Sequence, residues 1–177
     1  YLYSHQDEYL SNWLYRSIAL WLRRWALVAA TRPDEMIAIS TQVKKRIKDV
    51  YNRDAQIIFP PVNTQKFAPS KRLHGSTTPR LHDYYLTVSR LVPYKRIDKL
   101  IEVFNQNGKT LVIVGEGSDH RRLKRLANPN IHFTLSISDT ELVGYYQSGR
   151  AFVQANEEDF GIGMCEALSA GKPVIAR

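Results

Sequence analysis

The sequence predicts an α/β fold with a doubly wound parallel sheet, and two observations support this prediction. Apolar runs with the length of buried strands recur at 84–88, 111–115, 131–135, 151–154 and 174–176. Helical stretches separate these runs, at 95–106, 119–127, 139–147 and 164–170. Strands and helices that alternate in this way form right-handed βαβ units, which build a parallel sheet with helices on both faces.

The N-terminal part of the chain predicts one long amphipathic helix at residues 6–30, because apolar side chains recur there at three-to-four spacing. The apolar stripe comprises Leu14, Ile18, Trp21, Trp25 and Val28. We expect this stripe to face a core, and a helix lying on a membrane surface is the alternative. Arginines at 16, 23 and 24 interrupt the apolar stretch, which excludes an uninterrupted membrane span.

Shorter elements follow, with a strand predicted at 36–40, a helix at 41–51 and a strand at 57–59. Ser40 stands where a side-chain oxygen can cap the helix.

Residues 61–80 predict a linker or hinge, because Pro60 and Pro61 stiffen the chain and 68–79 is rich in Ser, Thr, Lys and Pro. We therefore expect residues 1–60 to belong to one domain and residues 81–177 to another. The chain starts at Tyr1 rather than at an initiator methionine, and it stops one residue after a predicted buried strand. We accordingly expect a fragment whose second domain is truncated.

Composition narrows the classes of function. The net charge of +8 is compatible with anionic partners such as nucleic acid, a membrane or a phosphorylated small molecule, but its cations are spread along the chain without a polybasic tail. Cys165 is the single cysteine, so an intrachain disulfide and a cysteine-rich structural zinc site are excluded, and a reducing compartment is expected.

The nine residues EDFGIGMCE at 158–166 carry the strongest functional pattern. Glu158 and Glu166 stand on either side of a glycine-containing turn that leads into a predicted helix. Gly161 and Gly163 allow backbone N–H groups to approach a ligand closely, and the helix N-terminus adds the positive end of its dipole. A suitable ligand has negative oxygens for the amides and hydroxyls for the acids, as a nucleotide sugar has.

Other charged residues follow predicted strand ends. Arg90, Glu116 and Glu158 each come just after a strand, and ligands of open α/β sheets bind beyond the carboxyl ends of the strands. We therefore expect them to line one crevice, together with Lys95 if this lysine opens the next helix. The ordinary alternative is that Arg90 and Lys95 are solvated surface charges.

Three motifs resemble those of one enzyme family. Glu158 and Glu166, with seven residues between them, and the following ALSAGKPVIA resemble the donor site of retaining GT-B glycosyltransferases of family 4. That group includes lipopolysaccharide mannosyltransferases and sucrose synthase. SRLVPYKRID at 89–98 is similar to the family's GRL-x-x-x-K element, and VIVGEG at 112–117 is similar to its IVGxG strand end. The resemblance extends from about residue 37 to residue 177.

The resemblance implies roles for these residues. Arg90 and Lys95 are expected to hold the donor diphosphate and to stabilise the charge that develops on the leaving group, without a metal ion. Glu166 is expected to bind the ribose hydroxyls, and Glu158 is expected to lie nearest the transferred sugar as a third catalytic residue. Further donor contacts are expected from Gly115, Glu116, Gly117, Phe160, Gly161 and Ile162.

The resemblance also implies a function. It is that of a retaining hexosyltransferase with residues 1–60 in the acceptor domain and residues 81–177 in the donor domain. Mannose from GDP-mannose is the first expectation, UDP-sugars are alternative donors, and no cofactor is expected. The acceptor would be a carbohydrate or lipid-linked hydroxyl in polysaccharide or glycolipid assembly. We expect a cytoplasmic protein with peripheral contact to the inner membrane face, and an isolated fragment without activity.

Competing functions fit the sequence less well. A dinucleotide-binding fingerprint starting at Gly115 fails at position 120, which holds His120 instead of glycine. A phosphate-binding loop at Gly171-Lys172 fails because Pro173 follows, and the Asp-x-Asp of metal-dependent glycosyltransferases is missing from the sequence. A basic nucleic-acid-binding module and a nucleotide-binding domain without transferase activity are the remaining alternatives, although no nucleic-acid-binding signature is present.

Overall fold

A computed structural model of the chain describes residues 13–69, 83–135 and 137–177. The chain divides into two compact units, one that ends at Pro60 and one that begins at Pro61.

The first unit contains two helices and two short parallel strands among its described residues. They are α1 (Trp13–Ala29), β1 (Ile37–Ala38), α2 (Thr41–Tyr51) and β2 (Gln56–Ile57). The Ser40 side chain accepts a hydrogen bond of 3.2 Å from the Val43 N–H, so the predicted cap of α2 is confirmed.

The apolar stripe of α1 is exposed to solvent in this chain. Trp21 is 63% exposed and Trp25 is 54% exposed, and Ile18 and Val28 are also exposed. The prediction of a core-facing stripe is therefore wrong for this chain. The physical reason is that the described part of the unit offers only two strands of two residues and one further helix, which is too little apolar surface to cover the stripe. Among the described residues, no helix is both long and apolar enough to cross a membrane.

The second unit consists of alternating strands and helices. Its elements are α3 (Thr64–Phe67), β3 (Tyr85–Val88), a 3₁₀ turn (Pro93–Lys95), α4 (Ile97–Asn107), β4 (Leu111–Val114), α5 (His120–Leu126), β5 (Ile131–Thr134), α6 (Asp139–Ser148), β6 (Ala151–Gln154), α7 (Ile162–Ser169) and β7 (Val174–Ala176). The five strands form one parallel sheet in the order β5-β4-β3-β6-β7. The predicted doubly wound α/β fold is confirmed.

This strand order fixes where a ligand can bind. From β3 the chain winds outward through β4 and β5 on one side, and it then returns to place β6 and β7 on the other side. The order therefore reverses between β3 and β6, which pair with each other. In an open parallel sheet, a crevice forms at this switch point beyond the carboxyl ends of the two strands.

Successive strand residues point to opposite faces of the sheet, so the sheet has apolar side chains on both faces. Helices cover both of these faces. One buried cluster includes Leu86, Val112, Val114 and Phe152 of the strands, and Phe67, Tyr146 and Ala167 of the helices. The other includes Leu111, Ile113, Ile131 and Val153 of the strands, and Ile101, Phe104 and Leu123 of the helices. The inner strands β3, β4 and β6 are largely apolar on both faces for this reason, as strands buried on both sides require.

Helix α3 lies inside the segment predicted as a linker, 61–80. Asn63 caps it by accepting a 3.1 Å hydrogen bond from the Lys66 N–H. Phe67 is 3% exposed, and the helix packs against α6 and α7. These residues belong to the packed body of the second unit, whereas residues 70–82 lie outside the described part of the chain.

Candidate functional site

The loop after β3 carries two of the predicted cations. Pro93 begins the 3₁₀ turn in which Lys95 lies, and Arg96 follows with a left-handed φ of 53° before α4 starts at Ile97. The expectation that Lys95 opens the helix is therefore wrong. Proline fixes its own φ and favours a tight turn here, and the left-handed residue separates that turn from the helix.

Tyr94 links these two cations. The exposed Arg90 donates a hydrogen bond of 3.0 Å from Nη2 to the Tyr94 hydroxyl. The Lys95 ammonium lies over the Tyr94 ring, 5.3 Å from its centroid. The Tyr94 side chain thus contacts the Arg90 guanidinium with its hydroxyl and the Lys95 ammonium with its ring face. Both positive charges are therefore held next to the same aromatic ring.

The Lys95 ammonium donates a hydrogen bond to Glu158 Oε1. The side chains are 14% and 23% exposed, respectively, so the ion pair is mostly withdrawn from solvent. The same oxygen accepts a 3.0 Å bond from Asn156 Nδ2, which also donates to the Glu157 carbonyl at 2.9 Å. Because Lys95 follows β3 and Glu158 follows β6, this pair joins the two loops at the switch point of the sheet.

Two glycines after β4 allow the loop that follows this strand to pack against the loop after β3. A Cβ atom on Gly115 would lie 2.0 Å from the Ser89 carbonyl oxygen, and one on Gly117 would lie 2.2 Å from the Leu91 carbonyl oxygen. The Leu91 N–H donates to the Glu116 carbonyl at 2.7 Å, which joins the two loops directly. The glycines therefore allow backbone to pack on backbone, and this packing supports the residue between Ser89 and Leu91, which is Arg90.

The turn before α7 leaves backbone N–H groups at the start of a helix. Gly161 has a φ of 83°, a left-handed value that favours glycine, and its carbonyl accepts from the N–H groups of Met164 and Cys165 at 3.0 and 3.2 Å. Ile162 and Gly163 form the first turn, where helical N–H groups have no acceptor within the helix. Their amides are therefore suited to meet phosphate or sugar oxygens.

Glu166 is held by a different set of contacts. Its Oε2 accepts a 2.8 Å hydrogen bond from the hydroxyl of the buried Tyr146. Partial burial raises the pKa of the Glu166 carboxyl, and the Tyr146 hydroxyl and the Lys66 ammonium partly offset this rise. The negative charge of Asp139 raises the pKa of Glu166 further. Asp139 also forms a 2.6 Å ion pair with Lys66. Burial also raises the pKa of Tyr146, so its hydroxyl stays protonated and donates.

The structure thus brings together some of the predicted site residues. Lys95 contacts Glu158 directly, and Arg90 joins them through Tyr94. Glu166 contacts Tyr146 instead, so two separate sets of side chains hold the two glutamates. Phe160 lies half-buried in the turn between them.

Sequence reasoning missed three of the contacting residues. Tyr94 stands next to Lys95, so a local signal for it was present, and Asn156 likewise stands two residues before Glu158. Tyr146 lies twenty residues before Glu166 on another helix, so only the packing of α6 against α7 reveals its role.

Sequence comparisons relate most of the second unit to known proteins. Residues 77–177 match the family described as Glycosyl transferases group 1. Over 119 residues, the chain is 39% identical to a GDP-mannose-dependent alpha-mannosyltransferase of Mycobacterium tuberculosis, and 33% identical to a protein of the same name from Mycolicibacterium smegmatis. Each match covers 65% of this chain and about a third of the relative, 31% and 32%.

The fold has counterparts among solved structures. Anabaena Alr3699/HepE, solved in complex with UDP-glucose, superposes with a TM-score of 0.70 at 21% sequence identity. The match covers 87% of this chain and 48% of that protein. At this level of identity the likeness concerns the fold, which is that of GT-B glycosyltransferases.

Proposed function

Because the chain belongs to the glycosyl transferases group 1, we propose that it contributes the donor site of a retaining hexosyltransferase that moves mannose from GDP-mannose to an acceptor hydroxyl. One observation carries this proposal, namely the contact of Lys95 with Glu158 at the switch point of the sheet. In this proposal, the cation binds the diphosphate and the carboxylate beside it faces the sugar. The two mannosyltransferase relatives support the choice of donor, and UDP-sugars are the alternative.

In this proposal, Arg90 and Lys95 bind the diphosphate. Negative charge grows on the diphosphate as the glycosidic bond breaks, so cations fixed before the reaction stabilise the transition state more than the ground state. Arginine can bind two oxygens at once, whereas lysine acts as a point charge. With this charge supplied by side chains, the proposed transfer needs no metal ion and no cofactor. The amides of Gly161, Ile162 and Gly163 are assigned to the distal phosphate or the sugar, and the Phe160 side chain is expected to contact the donor beside them.

The two glutamates take different parts of the donor. Glu166 binds the ribose hydroxyls, since a carboxylate can accept hydrogen bonds from two neighbouring hydroxyls. Glu158 faces the sugar and stabilises the positive charge of an oxocarbenium-like transition state. We assign it an electrostatic role rather than that of a nucleophile, because its Oε1 already accepts from Lys95 and Asn156 and both contacts lower its nucleophilicity.

The acceptor side of the proposal concerns the first unit. We propose a carbohydrate or lipid-linked acceptor in polysaccharide or glycolipid assembly, in the cytoplasm at the inner membrane face. The exposed tryptophans of α1, with the neighbouring arginines Arg16, Arg23 and Arg24, suit a helix that lies on an anionic membrane. Sedimentation with phosphatidylglycerol vesicles tests this contact, and Trp21→Ser with Trp25→Ser should abolish it. Equal binding of the unsubstituted and the doubly substituted chain would contradict it.

Isothermal titration calorimetry of the chain with GDP and with UDP, each with and without EDTA, tests the donor site. We expect binding that EDTA leaves unchanged. Lack of binding by both nucleotides, or binding that EDTA abolishes, would overturn the assignment. Binding without transfer from GDP-mannose by the full-length protein would favour a nucleotide-binding domain without transferase activity.

A further inference from the structure

Tyr146 has the features of a side chain whose position is fixed in advance. It is 1% exposed, and its ring contacts two aromatic neighbours. Phe67 of α3 meets it edge-on at 5.2 Å between centroids, and Phe152 of β6 stacks on it at 5.8 Å. These contacts and its burial restrict the ring, and its hydroxyl donates to Glu166 Oε2 at 2.8 Å.

Gly163 leaves room for this arrangement. A Cβ atom at this position would lie 3.2 Å from the Tyr146 hydroxyl and 3.2 Å from Phe152 Cζ. Both neighbours are held in the buried cluster, so neither can move away at low cost. The first turn of α7 therefore approaches the Tyr146 hydroxyl closely because residue 163 is glycine.

The hydrogen bond also restricts Glu166. A glutamate has three rotatable side-chain bonds, and ordering such a side chain when a ligand binds opposes binding. Since Tyr146 already holds one carboxylate oxygen, much of this ordering is done in the protein before the nucleotide arrives. The carboxylate can still accept from hydroxyls, because two oxygens offer about four acceptor sites.

We propose that Tyr146 is a positioning residue for nucleotide recognition, which acts by orienting the Glu166 carboxylate toward the ribose hydroxyls. This inference rests on the proposed function, in which Glu166 binds the ribose. Tyr146 itself does not touch the donor, and its effect passes through Glu166 alone. It follows that loss of the Tyr146 hydroxyl matters only for nucleotides that carry ribose hydroxyls.

The test compares two nucleotides on one set of variants. Calorimetry measures the affinity for GDP or UDP, whichever binds the unsubstituted chain more tightly, and for its 2′,3′-dideoxy analogue. Tyr146→Phe should weaken binding of the ribonucleotide by about tenfold, the size of one net hydrogen bond to a charged group. The affinity for the dideoxy analogue should stay within about twofold.

Tyr145→Phe is the matched control. It removes a buried tyrosine hydroxyl from the same helix, but this hydroxyl lies 3.4 Å from Thr134 Oγ1 rather than at Glu166. We expect it to leave the ratio of the two affinities unchanged. Glu166→Gln should reduce that ratio at least as much as Tyr146→Phe does.

The possible outcomes distinguish a failure of the Tyr146 proposal from a failure of the ribose role of Glu166. If the unsubstituted chain binds neither nucleotide, or binds the ribonucleotide and its dideoxy analogue equally, the ribose role of Glu166 fails and the inference fails with it. If the unsubstituted chain prefers the ribonucleotide and Tyr146→Phe keeps that preference, or loses affinity for both nucleotides equally, Tyr146 is only a core residue. The proposed function then stands without this inference.

Discussion

Three glycines of the second unit allow the cost of backbone strain to be separated from the cost of a steric clash. Gly108 has a left-handed φ of 69°, and a Cβ atom there would meet nothing within 4 Å. Gly117 would place its Cβ 2.2 to 2.7 Å from three backbone atoms of Leu91, without a left-handed φ. Gly115 combines a φ of 138° with a 2.0 Å approach to the Ser89 carbonyl. Substitution of each by alanine therefore isolates strain, clash and their sum.

The magnitudes follow from these geometries. Gly108→Ala should lower the free energy of unfolding by about 1 kcal/mol, since left-handed strain is partly offset by a less flexible unfolded chain. Gly117→Ala should lower the free energy of unfolding by about 1–3 kcal/mol, the range for overpacking, because the atoms that the new Cβ would meet belong to the backbone. Gly115→Ala carries both penalties and should cost about 2–5 kcal/mol.

Urea unfolding followed by the NMR amide signals of β4 measures these changes in the second unit alone. Calorimetry with GDP gives the second measurement. Gly117→Ala should weaken GDP binding by about tenfold, because displacement of the Ser89–Leu91 segment misplaces a charged hydrogen-bond donor at Arg90. Gly108→Ala should bind GDP like the unsubstituted chain.

Two results would refute this reasoning. If Gly117→Ala is as stable as Gly108→Ala, the close approach to Leu91 is not a constraint. If Gly117→Ala is destabilised but binds GDP normally, the packing of the two loops supports the fold and not the position of Arg90. Should Gly115→Ala leave too little folded protein to measure, Gly117→Ala alone decides the question.

Further predictions concern the charged residues. Arg90→Ala and Lys95→Ala should each lower kcat/KM of the full-length protein by about 2–4 kcal/mol of transition-state stabilisation, and near-normal turnover in both folded variants would make them surface charges. Glu166→Gln should weaken binding of free GDP, whereas Glu158→Gln should lower turnover and leave free GDP affinity nearly unchanged; equal losses of affinity would mean that the two glutamates do not divide the donor. Folding raises the pKa of Glu166, so the stability linked to this group is present when it is protonated and is lost as pH rises through its pKa in the folded protein. Glu166→Gln should thus gain stability over the unsubstituted chain above that pKa and lose the gain at lower pH, which urea unfolding across a pH series measures; a difference independent of pH would point to packing instead.

The sequence predicted the sheet well because its inner strands, β3, β4 and β6, are buried on both faces. Such strands are continuous apolar runs, and their limits are visible without knowledge of their neighbours. All five predicted runs correspond to strands of the second unit. The cap of α2 was predictable for a similar reason, since Ser40 and its partner are three residues apart.

Features that depend on tertiary contacts were not predictable in this way. The periodicity of α1 indicates that its stripe is apolar, but the same pattern suits a core, a membrane or a partner, and the expected core was wrong for this chain. Lys95 lies outside its predicted helix because Arg96 has a left-handed conformation that ends the turn before the helix begins. The identity of residue 96 as arginine does not indicate this conformation. The contact of Tyr146 with Glu166 joins two helices, and no local spacing predicts it.

The loop after β4 combines two positions whose backbone is closely packed with one position between them whose side chain is exposed. Its backbone is fixed by close packing at Gly115 and Gly117, whereas the side chain between them, Glu116, is exposed. Substitution of either glycine should therefore destabilise the fold, whereas this backbone packing does not restrict the residue type at position 116. Randomisation of position 116 offers a route to altered donor preference that leaves the support of Arg90 intact.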